Sequence, residues 1–408
     1  MPNVVFAVPF AMDASLRFVR AAAALPGVRL AVVTQEPAER FPEDLRAKLV
    51  GHYRVRDAMQ ADELVAGARH LAGVLGGRID RFIGILEPLQ VPLAEARERL
   101  GLPGASVEVA KNFRDKARMK TILRANGLPC AKHQLATDAA QAVQFAERVG
   151  YPLVVKPPAG AGARNTSRVN SRAELDAALR SMPPHRDAPV LFEEFIQGEE
   201  YSFDSVTLGG RHVFHSISSY SPAPLDVLQN PWIQWAVYLP RRIDDPKFAP
   251  IFAAGPRALD ALGIETGLTH MEWFRRPDGT IAISEVAARP PGAQFTTLLS
   301  YAHDFDFYGG WARLVIFDEF TPPERQYSAG AAYVRAQGSG GRIVAIRGLE
   351  EAQRELGEIV VEAKLPRTGQ APTGTYEGEG YVIVRHPETQ VVERALQRLV
   401  ETIRVDLG

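Results

Sequence analysis

The stretch that most constrains this chain lies at residues 270–292. Two runs rich in aromatic and β-branched residues, 270–275 and 280–286, flank Asp278-Gly279, and Asp-Gly between such runs is the strongest short-range hairpin signal. A two-residue turn at Asp278-Gly279 sets Glu272 directly opposite Glu285, with their Cβ atoms about 5 Å apart. On that register their face carries Phe274, Ile281, Ile283 and Ala287, so the two carboxylates are expected in apolar surroundings. A three-residue bulged turn would shift the register by one residue and weaken the facing.

Two unit negative charges about 5 Å apart repel by roughly 3 kcal/mol at an effective dielectric near 20. Such a pair calls for a cation between its members or a proton shared by them. Hard oxygen ligands suit Mg²⁺ or Mn²⁺, and one or two carboxylates with substrate phosphates is the usual way Mg²⁺ is held. The plain alternative is an edge hairpin whose glutamates point into water.

Composition narrows the surroundings. A chain of 408 residues is long enough for two to four domains. With 46% hydrophobic and 23% charged residues it reads as an ordinary globular protein. A net charge of −1 gives no electrostatic case for nucleic acid or an anionic membrane. No stretch has the length of a membrane span. The apolar run at 4–10 contains Pro9 and lacks a basic leader, so it reads as a strand, and the cytoplasm is the default address. Cys130 is the only cysteine, which excludes an intrachain disulfide and a cysteine-based metal site. Beside Pro129 it reads as structural, the alternative being a catalytic thiol.

Residues 1–105 alternate strand and helix: strands at 4–8, 28–34 and 82–86, helices at 14–25, 62–75 and 92–100. Asp13 is placed to cap the first helix. The alternation predicts a parallel sheet with helices on its faces. The first strand-to-helix turn, Pro9 to Asp13, has no glycine, which argues against a dinucleotide pyrophosphate there. Residues 111–127 read as one basic helix stopped by Gly127 and Pro129, with Arg114, Lys116, Arg118 and Lys120 on a solvated face unless one of them holds a phosphate.

A buried strand at 151–157 then carries Lys156 at its end, a costly position for an ammonium without an anion. The loop after it contains Gly160, Gly162, Arg164, Thr166 and Ser167, whose backbone N–H groups could wrap a polyphosphate. It is not a Walker loop. A strand at 190–196 holds Glu193, Glu194, Phe195 and Ile196, and the next begins near Glu200. Residues 220–242, with Tyr220, Asn230, Trp232, Gln234 and Trp235, either cover a pocket or pack on a sheet. Helices are expected at 295–299, 307–317 and 389–404, with short strands from about 322.

In this order the pieces resemble the ATP-grasp superfamily, closest to its carboxylate–amine (amino-acid or dipeptide) ligases and its biotin carboxylase-like branch. The likeness covers nearly the whole chain. It implies an α/β protein, α+β in the ATP-grasp part: a Rossmann-like parallel sheet at 1–107, a first lobe with the glycine-rich lid at 108–198, a second lobe with the metal site at 199–320, and a small α+β segment at 321–408. It implies that Lys116 and Lys156 reach nucleotide phosphates beneath the loop 160–167. Residues 193–196 would read the adenine edge and Glu200 the ribose, while Glu272 and Glu285 would hold Mg²⁺ (or Mn²⁺). Arg289 would stabilise the transferred phosphoryl group. The family often has Asn as a third metal ligand two residues after the second glutamate; here Ala287 stands there.

The activity implied is ATP-dependent joining of a carboxylate to an amine through an acyl-phosphate, with small-molecule substrates and neither nucleic acid nor membrane as partner. The alternatives are a carboxylase of the biotin carboxylase type and a non-catalytic ATP-binding module. Residues 220–242 lack the basic, glutamine-rich bicarbonate segment of the former. Arg335 or Arg342 could help bind substrate, and helices of the N-terminal domain could pair in a homodimer or face water.

Overall fold

The computed structural model describes residues 1–160, 165–230, 233–375 and 377–408. Alternating apolar strands and amphipathic helices build the expected parallel sheet near the N-terminus. Its order is Gly51–Arg54, Arg29–Thr34, Asn3–Ala7, Arg81–Gly84. The edge strand Gly51–Arg54 has no apolar run and escaped the sequence reading. Asp13 does not cap the first helix. Met12 is the N-cap and Asp13 the first helical residue, its carboxylate paired with Lys364 instead.

Two antiparallel sheets follow. The smaller has the order His133–Ala136, Val190–Glu194, Leu153–Lys156, Ser167–Val169, so the strand bearing Lys156 is flanked on both sides. The larger runs Ile281–Ala287, Gly267–Arg275, Glu199–Leu208, Arg211–Ser221, Trp235–Leu239, Ser328–Val334, Gly380–His386, Val360–Lys364. Pairing of Trp235–Leu239 with Ser328–Val334 carries this sheet across the expected boundary at 320/321. One core joins Phe6 and Phe18 of the N-terminal part to Trp311, with Phe18 and Trp311 in edge contact at 5.0 Å. The parallel sheet is thereby clamped against the helices of the large one. No helix among the described residues is long and apolar enough to cross a membrane.

The basic run is two helices, Val107–Arg114 and Lys116–Ala125, not one. Asp115 breaks it: its Oδ1 accepts from the backbone N–H of Ala117 (2.9 Å) and Arg118 (3.0 Å), capping the second helix. The break changes the fate of the side chains, because Lys116 and Lys120 are buried where a continuous solvated face was expected.

The hairpin also departs from expectation. The Arg276 N–H donates to Thr280 O and the Gly279 N–H to Arg276 O, closing a three-residue turn with Gly279 at φ +81°. Pairing therefore starts one residue off, with Trp273 opposite Ile283, and Ser284 then bulges so that Glu272 does face Glu285. The bulge also changes the parity of the strand. Ile281 and Ile283, expected beside the glutamates, pack on the far face with Met271, Trp273 and Val286. Phe274 and Ala287 stay with the carboxylates.

Candidate active site

Between the two antiparallel sheets lies a cavity of about 520 Å³. Its walls bring together Lys116, Lys156, Gly160, Thr166, Glu193, Glu194, Phe195, Ile196, Glu200, Glu272, Glu285 and Arg289. Ser167 stands outside this lining, exposed on its strand and paired through its backbone with Val155. Gly162, Arg164 and Trp232 lie outside the described residues.

One end is organised by buried charge. Glu193 pairs with Lys156 (2.9 Å) and with Lys120 (3.3 Å), and Lys120 also donates to the carbonyl of the bulged Ser284. Burial opposes a charge on Glu193, yet the two ammonium groups hold its carboxyl below the usual range. Burial likewise opposes the Lys156 ammonium, and Glu193 and Glu285 raise its pKa regardless. Lys120, at 0% exposure, is pushed down by burial despite Glu193. The hinge N–H groups of Glu194 and Phe195 are taken by Lys132 O and Pro152 O.

The other end holds the facing carboxylates. Lys116 pairs with Glu285 at 2.8 Å and donates to Gly160 O at 3.1 Å, tying the start of the glycine loop to the second glutamate. Burial works against an ionised Glu285, but Lys116 and Lys156 draw it below the ordinary value. Burial and then the charge of Glu285 push Glu272 up. Glu200 is raised well above its usual range by burial, Glu272 and Asp226. Burial and mutual repulsion thus weigh on ionised Glu200 and Glu272 together, a load that a divalent cation relieves. Among the described residues no group of three or more His, Cys, Asp or Glu side chains forms a metal cage. Two carboxylates completed by phosphate oxygens and water remain a fitting donor set for Mg²⁺.

Three residues that sequence reasoning passed over complete the arrangement. Arg289 Nε donates to Glu87 Oε2 at 2.8 Å, and Nη1 to Pro290 O at 2.8 Å. Glu87 reaches the site from the turn Glu87–Leu89, just beyond a strand of the parallel sheet. His270, between Asp204 (Nδ1 to Oδ1, 2.6 Å) and Tyr220 (Nε2 to Oη, 3.3 Å), lines the cavity. Burial disfavours its charge, yet Asp204 raises its pKa. Lys120 is the third. Its charge run was visible; its direction was not. Arg335 and Arg342 are not in the lining: Nη1 of Arg335 binds the carbonyls of Val227 and Ile233, and Nη1 of Arg342 that of Gly369. Residues 220–242 both cover the cavity, through Tyr220 and Leu225, and pack on the sheet, where Trp235 stacks 4.7 Å from Tyr333.

Known proteins resemble this chain in sequence and in fold. An ATP-grasp domain model matches residues 121–303, a span that holds Lys156, Glu272, Glu285 and Arg289. The chain is 23% identical to the L-arginine-specific L-amino acid ligase of Bacillus subtilis, over 70% of each chain. It is 26% identical to the D-alanine–D-alanine ligase of Pseudomonas putida, over 53% of this chain and 64% of that enzyme's own length, under two thirds. The fold matches the crystal structure of an L-amino acid ligase from Bacillus licheniformis with a TM-score of 0.80 at 22% identity, covering 100% of this chain and 99% of the other. Two lysines, the start of the glycine loop and the facing glutamates thus line one cleft in a chain whose residues 121–303 match an ATP-grasp domain.

Proposed function

We propose that the protein is an ATP- and Mg²⁺-dependent carboxylate–amine ligase. The observation that carries this reading is the cleft itself: facing Glu272 and Glu285 on one wall, Lys116 and Lys156 beside them, and Arg289 at the same end. Lys156, oriented by Glu193, and Lys116 present ammonium groups to a polyphosphate. Glu200 accepts from ribose hydroxyls, and an adenine edge meets the hinge beyond Phe195, at Ile196. Mg²⁺, held by Glu272 and Glu285 when nucleotide is bound, would neutralise charge on the phosphoryl oxygens.

A carboxylate oxygen attacks the γ-phosphorus; that bond forms as the bond from γ-phosphorus to the ADP oxygen breaks. Arg289, fixed by Glu87, faces the resulting acyl-phosphate and offsets its charge. An amine then adds to the acyl carbon, a C–N bond forms, and the C–O bond to phosphate breaks. The nitrogen loses a proton to the medium, so amide, ADP and phosphate are the products.

Incubation with ATP, Mg²⁺, pooled carboxylic and amino acids, and hydroxylamine as the amine tests this. A hydroxamate formed in step with released phosphate is the expected result. Nucleotide binding without phosphate release from any acid would favour a non-catalytic ATP-binding module, the second reading, which Ala287 in place of a third metal ligand supports.

A further inference from the structure

Beside His270 the cavity has an aromatic compartment that the nucleotide reading leaves unused. Its walls are Tyr220, Leu225, Trp235 and Phe295, and its small side chains are Ala287 and Ala293. The rings hold one another in place: Tyr220 lies parallel to Trp235 (7°, 6.1 Å) and edge-on to Phe295 (5.7 Å). His270 joins this compartment to the reacting end. Its ring is 5.3 Å from that of Phe295, and its Nε2 is 3.9 Å from Glu272 Oε1. A carboxyl engaged by Arg289 has these rings in the same cavity.

The charges nearby select against other occupants. Among the described lining residues, the anions bordering the compartment are Glu200, Asp226 and Glu272, and Arg289 is the cation the reacting carboxyl itself engages. A second carboxylate would meet like charge, so an acidic side chain is disfavoured there.

We infer that the reacting acid carries a bulky aromatic or branched aliphatic side chain. The inference rests on the ligase reading and narrows its substrate. In an apolar pocket each methylene that fits is worth about ten-fold or more in kcat/KM.

The test is phosphate release by the full chain with ATP, Mg²⁺ and hydroxylamine, one amino acid at a time. Phenylalanine, leucine and methionine are expected to exceed glycine and alanine at least ten-fold in kcat/KM, with aspartate and glutamate below both groups. Equal or better turnover of the small acids, or of aspartate and glutamate, would overturn the inference and leave the ligase reading standing. Release with no acid, beside measurable ATP binding, would overturn both. Phe295→Ala supplies an independent readout: its preference for phenylalanine over alanine should fall at least ten-fold while ATP affinity is unchanged. An undiminished preference in a variant that binds ATP would contradict the assignment.

Discussion

Lys120 shows how much of the site depends on one side chain. It is fully buried, and it ties the Glu193–Lys156 pair on one sheet to the bulge that aligns the glutamates on the other. Lys120→Met keeps the volume and removes both contacts. Loss of hydrogen bonds from a charged donor should cost about 1.5–3 kcal/mol in denaturant unfolding, with weaker nucleotide binding alongside. Unchanged stability would remove the linking role. His303 supplies a pH signature outside the site. Its Nδ1–H donates to Leu299 O and its Nε2 accepts from Arg325, an arrangement that needs the neutral ring. Burial, with Arg325 beside it, lowers its pKa from 6.5 to about 4. The unfolded chain then binds the proton more readily, so stability is complete above about 6.5 and falls as pH drops toward 4. The total loss is about 3 kcal/mol, with none beyond that from this group. Thermal unfolding across this range should show the slope, and His303→Gln should flatten it.

At the level of elements, the hairpin was legible from its Asp-Gly and flanking strands, and so was the facing of Glu272 and Glu285. The route to that facing was not. A bulge is set by what a strand packs against, here the Lys120 donor, 164 positions from Ser284, and a core that Met271 and Trp273 share with distant segments. The break at Asp115 was hidden differently, by a local cap inside a run read for its charge. Charge periodicity described the basic run as one solvated helix, whereas a capping carboxylate divides it and buries Lys116. Asp115→Ala should therefore act twice: about 1 kcal/mol less stability from the lost cap, and a several-fold higher KM for ATP as Lys116 loses its position at the helix start. A stability change with an unaltered KM would separate the cap from the site.

Across the whole molecule, alternation and strand composition made the parallel sheet and the order of motifs readable. The partnerships between distant segments were not, because no local pattern encodes them. Glu87 is separated from Arg289 by 202 positions, yet it holds the guanidinium that we propose acts on the transferred phosphoryl group. Glu87→Gln should lower kcat ten-fold or more through misplacement of Arg289, with ATP affinity unchanged by equilibrium titration. A loss confined to ATP affinity would place Glu87 elsewhere in the account.

The central claim is that the facing glutamates hold a divalent ion through a bound nucleotide. Electron paramagnetic resonance of Mn²⁺ with the full chain, with and without ATP, reads this directly. Tight Mn²⁺ binding only with ATP present, abolished in the Glu272→Gln, Glu285→Gln double variant, is the predicted result. Mn²⁺ binding that ignores ATP, or that survives in the double variant, would contradict it.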